Sequence, residues 1–96
     1  MELILKKSNR KNKKWMIDMG QMKHHFGDSR YEDYTKHKDK ARKKSYLARH
    51  HKENWSKSGI HTAGFWSRWL LWNEPSISDS INDIEKRFDI TIKYQS

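Results

Sequence analysis

Nine residues, Gly64-Phe65-Trp66-Ser67-Arg68-Trp69-Leu70-Leu71-Trp72, constrain this chain more than any other stretch. Thr62 is placed to cap a helix over 63–73, on which Phe65, Trp69 and Trp72 share one side and Trp66 and Leu70 a second. Between Gly64 and Trp72 only Ser67 and Arg68 are clearly polar, and a helix apolar nearly all round must be buried or docked to a partner. Its longest unbroken apolar run, Trp69-Leu70-Leu71-Trp72, is far short of the roughly 20 residues that span a bilayer. The helix is therefore expected at the centre of a small core. The chain has 96 residues, so one compact core is all it can build. With 33% hydrophobic and 34% charged residues it leans toward disorder, but twelve aromatic side chains supply the buried area that disordered chains lack.

The remaining elements follow from hydrophobic period. Leu3-Ile4-Leu5, Trp15-Met16-Ile17 and the alternation Met22, His24, Phe26 are separated by a basic turn and by Met19-Gly20. They predict a β-meander with strands near 2–7, 13–19 and 21–26, too short to close a barrel and needing helices on one face. Residues 39–51 contain no Gly or Pro and predict a helix on which Ala41, Ser45 and Ala48 form a thin, small-residue contact face. Ser76 can cap a third helix, with Asp79 three residues later. Ile77, Ile81, Ile84 and Phe88 then fall on one stripe. Residues 89–94 alternate as a strand able to join the N-terminal sheet. The expected fold is α+β, a single domain over 1–96. A β-rich part (1–34) leads into a basic helical segment (35–57), and the Trp-rich helix, amphipathic helix and terminal strand occupy 58–96.

Charge is unevenly laid along this chain. The formal net charge of +9 divides into +3 for residues 1–34, +7 for 35–57 and −1 for 58–96. Nine bases against two acids in the central segment exceed what solubility requires and point to a located anion-binding surface. The expected phosphate contacts are Lys38, Arg42, Lys43, Lys44, Arg49 and Lys52, joined by Lys11 and Lys13 of the 6–14 basic turn. Such contacts carry no sequence specificity. The Trp-rich block has a second reading as a docking face, through Trp55, Trp66 and Trp69, because Trp and Arg dominate interface hot spots.

Catalysis and cofactors find little support. Without cysteine there is no disulfide, thiolate nucleophile or thiolate-held metal. The six histidines include only adjacent pairs, such as His50 and His51, whose side chains point apart, so no metal site is expected. A nuclease built from His51 as base, Asn54 as its orienter and His61 as metal ligand lacks an acidic cluster for magnesium. The glycines are scattered singly, with no phosphate-cradling loop. No catalytic residue, cofactor or small-molecule substrate is expected. Lysines and tryptophans lie on separate segments rather than on opposite faces of one helix, which argues against a membrane surface. The start Met1-Glu2-Leu3-Ile4-Leu5-Lys6 is apolar too briefly for a signal h-region, so secretion is not expected.

The blocks His37-Lys38-Asp39, Arg42-Lys43-Lys44-Ser45-Tyr46-Leu47-Ala48-Arg49-His50, Glu53-Asn54-Trp55, Gly59-Ile60 and 62–73 with Pro75 resemble small basic proteins of large double-stranded DNA viruses of algae and amoebae. His25-Phe26-Gly27 is similar to that family's N-terminal strand end. The resemblance spans roughly residues 3–90 and belongs to a family of unknown function, so it carries over no site residues. It implies a viral setting, in the virion or the infected cell's cytoplasm or nucleus. The leading expectation is a non-enzymatic nucleic-acid-binding protein, with DNA ahead of RNA. The alternative is a minor capsid or cement protein docking acidic coat-protein surfaces.

Overall fold

Glu2–Lys7 (β1) and Lys13–Asp18 (β2) pair antiparallel with Leu5 opposite Ile17, and β2 pairs antiparallel with Lys23–Asp28 (β3), Trp15 opposite Phe26. The computed structural model describes residues 1–95. The third strand starts two residues later than the alternation suggests. Gly20 takes a left-handed φ of 90° and Met19 N–H donates to Met22 O at 2.8 Å, so Gln21 and Met22 belong to the turn. Thr91–Gln95 (β4) joins the free side of β1 in parallel, Leu3 opposite Ile92, giving the order β3-β2-β1-β4. Parallel pairing requires a crossover, and the helices between β3 and β4 supply it. The fold is α+β with a four-stranded mixed sheet.

Four helices rather than three fill that crossover. Tyr34–His37 (α1) is a single turn, too short for a periodic signal, capped by Asp33, whose carboxylate accepts from Thr35 N–H at 2.9 Å. Lys40–Arg49 (α2) starts where the Asp39 carboxylate accepts from the N–H groups of Ala41 and Arg42. It packs on an unexpected face. Ala41, Ser45 and Ala48 are exposed, and the helix leans inward through Lys43, Tyr46 and Leu47. The Tyr46 ring lies flat on Trp72, with centroids 4.4 Å apart and planes within 4°, and its other face stacks on His50 at 4.3 Å. One aromatic ring buries more area than three small side chains, so it decides the orientation.

Ala63–Trp66 (α3) begins at the expected Thr62 cap, then widens into a π turn over Ser67–Leu71. The wider turn leaves Trp69, Leu70 and Leu71 all buried. They meet Leu3, Leu5, Ile17, Phe26 and Ile92 of the sheet in one cluster. Ile77–Phe88 (α4) closes that cluster with Ile84 and Phe88. Its cap is the one expected, Ser76 Oγ accepting from Asp79 N–H at 3.1 Å.

Before α3 the chain turns tightly at Gly59, where an added Cβ would lie 2.0 Å from the backbone oxygen of Asn54. Gly59→Ala is expected to lower stability by about 1–3 kcal/mol through this clash. A chemical-denaturation midpoint matching the wild type would show that the turn moves aside freely.

Candidate nucleic-acid interface

Helix α2 divides its cations between two tasks. Lys40, Arg42, Lys44 and Arg49 are exposed, as is Lys52 just beyond it, and none forms an ion pair among the described residues. Arg42, Ser45 and Arg49 fall on one side of the helix and, with Ala41, line a shallow groove. Lys43 turns inward instead. Its ammonium donates to Asn73 O at 2.6 Å and lies 5.0 Å from the centroid of the Tyr34 ring. Burial, then the neighbouring Arg68 charge, lowers its pKa. Lys38 donates to Pro75 O at 2.8 Å and to Thr35 O at 3.2 Å. These two lysines tie α1 and α2 to the 73–75 segment, whereas Arg42, Lys44, Arg49 and Lys52 keep their charges free for a partner.

The fold brings the two basic clusters of the sequence together. Lys11 is exposed in the β1–β2 turn, while Lys13 and Arg49 line one cleft of about 370 Å³ with Tyr31, Tyr46 and His50. The local field is positive on the hairpin. Burial, followed by the charges of Arg10, Lys13 and Lys23, holds His25 below the usual imidazole value. Four carboxylates also line the cleft, three of them already engaged. Asp33 bonds Lys14 at 2.5 Å, and Glu53 meets His50 at 3.2 Å and the Trp55 indole N–H at 3.3 Å. Asp28 is gripped by Arg30, whose hydrogen bonds hold its pKa at about 2. Glu32 alone has no ion-pair partner among the described residues, against the two free cations Lys13 and Arg49.

The tryptophans expected at a docking face need correction. Trp66 is 0% exposed and Trp69 8%, because their indole N–H groups bond Ile60 O at 2.9 Å and Trp55 O at 2.8 Å inside the core. Trp55 alone of the three reaches the surface, half-buried with the Arg68 guanidinium 5.3 Å from its ring centroid. The exposed aromatic at the cleft is Tyr31, 69% accessible, which no periodic pattern in the sequence singles out. Its only signal was an aromatic set between Arg30 and Glu32 in a turn.

The residues weighed as a nuclease set do not bond one another. His51 Nδ1 bonds Ala48 O at 2.8 Å, Asn54 bonds Ser56 and Ser58, and the charge of His61 acts on His24.

Comparison with curated proteins and with solved structures gave no match. A family description does match over residues 3–50, which take in the meander, α1 and α2, and so Lys11, Lys13, Lys38, Arg42, Lys43, Lys44 and Arg49. Lys52 and the tryptophan-rich helix lie beyond it. The chain belongs to this family, a family of unknown function (DUF5754).

Proposed function

We propose that this protein is a non-enzymatic nucleic-acid-binding domain that grips phosphates without reading sequence. The observation that carries this reading is the set of exposed cations on α2 without ion-pair partners among the described residues, Arg42 and Arg49 on one flank of its exposed side and Lys44 on the other, with Lys52 just beyond and Lys13 and the Lys11 turn across the cleft. Exposed cations without internal partners are free to replace the counterions condensed on a polyanion. The resemblance to proteins of large double-stranded DNA viruses favours DNA over RNA and a place in the virion or the infected cell. The coat-protein alternative sets this same basic face against acidic coat-protein surfaces and adds exposed tryptophans as anchors; with Trp66 and Trp69 buried, it keeps the basic face and Trp55 and is the weaker reading.

Six contacts on duplex DNA imply that the logarithm of the binding constant falls with the logarithm of salt at a slope of about −5. Fluorescence anisotropy with an arbitrary duplex, repeated over a range of salt, measures it. A slope near zero, or no binding at low salt, would overturn the proposal.

A further inference from the structure

At the end of the sheet away from α2, side chains with lone pairs gather on one face. Ile17 stands opposite His24, and Met19 N–H bonds Met22 O at 2.8 Å in the next position toward the turn. Strand alternation therefore places Met19, Met22 and His24 on the same face as Ile17. His61, from the loop before α3, reaches the same corner. It lines a pocket of about 220 Å³ with Met1, Leu3, Met19 and Met22. Glu2 also lines that pocket, but its carboxylate is paired with Lys93 at 3.4 Å.

A plug of methionines would seal the end of a small core without further purpose. That reading leaves one group unexplained. His24 Nε2 is buried with no hydrogen-bond partner among the described residues, and an orphaned buried nitrogen is costly. His61 sits near enough for its charge to act on the His24 ring.

We propose that Met19, Met22, His24 and His61 form a two-thioether, two-imidazole site for a soft monovalent cation, copper(I). Among the described residues no three His, Cys, Asp or Glu side chains converge, so a zinc or magnesium donor set is lacking here. Thioethers select copper(I), and imidazole suits copper as well. Met22 is 44% exposed, which gives the ion an entry path. The site lies apart from the basic face and does not depend on nucleic-acid binding.

The test is an anaerobic competition of the full chain against a chromogenic copper(I) chelator, with ¹³C-methyl methionine spectra recorded alongside. The expected result is one equivalent bound, with the Met19 and Met22 methyl signals shifted and that of Met16 unmoved. Met19→Leu with Met22→Leu keeps the packing volume and is expected to lower copper(I) affinity about tenfold or more, as is His61→Gln. Failure to compete with the chelator, shifts confined to Met1, or full affinity in the double methionine variant would each overturn the proposal. The spectra of the unaltered protein decide the matter even if a variant fails to fold.

Discussion

Trp66→Ala is expected to cost this fold a large share of its stability. The side chain is wholly buried, meets Phe65 edge-on at a centroid distance of 4.9 Å, and satisfies the Ile60 carbonyl through its indole N–H. Truncating a buried Trp costs about 3–5 kcal/mol, against a total of about 5–15 kcal/mol for typical domains. A thermal melt by circular dichroism should show a transition far below the wild type's, or none. Trp66→Phe keeps a ring but strands the Ile60 carbonyl, so roughly 1–3 kcal/mol is expected there. A cost below about 1 kcal/mol for the alanine variant would mean that the 63–71 helix is not the centre of the core.

The second large effect is on binding. Arg42→Glu, Lys44→Glu and Arg49→Glu together should weaken duplex affinity at low salt by roughly 100-fold or more, since three contacts are lost and three repulsions added. Stability should hardly move, because all three side chains are exposed and without ion-pair partners among the described residues. Lys43→Glu is the contrasting case. Its ammonium bonds Asn73 O inside the fold, so that variant is expected to lose stability as well. Equal affinity in the triple variant and the wild type would remove α2 from the interface.

What the sequence shows of this protein depends on whether the signal is local. Strand alternation at Leu3 and Leu5 and the Ile77-Ile81-Ile84-Phe88 stripe are local patterns, and β1 and α4 lie where those patterns put them. The Ser76 and Thr62 caps are legible for the same reason. The π turn leaves no such trace, since an all-apolar helix has no polar face from which to read its pitch. The orientation of α2 follows from Trp72, a residue distant in sequence that offers Tyr46 a flat surface. Small residues at Ala41, Ser45 and Ala48 therefore marked an open face rather than a packed one.

The candidate site divides in the same way. Counting charge locates the basic segment but treats every ammonium alike. The loss of Lys38 and Lys43 to carbonyls of the 73–75 segment is a tertiary event. The meeting of Lys13 with Arg49, and of His24 with His61, likewise arises from the crossover between β3 and β4. His24-His25 and His50-His51 are adjacent in the sequence, whereas His24 and His61 of the proposed corner site are brought near each other only by the fold.

The most direct test of the proposed phosphate contacts compares the salt dependence of duplex binding in the wild type and in a variant carrying Arg42→Gln, Lys44→Gln and Arg49→Gln. Removing three phosphate contacts should make the log–log slope shallower by roughly 3. An unchanged slope would contradict the assignment of these residues to the interface, whatever the loss in affinity.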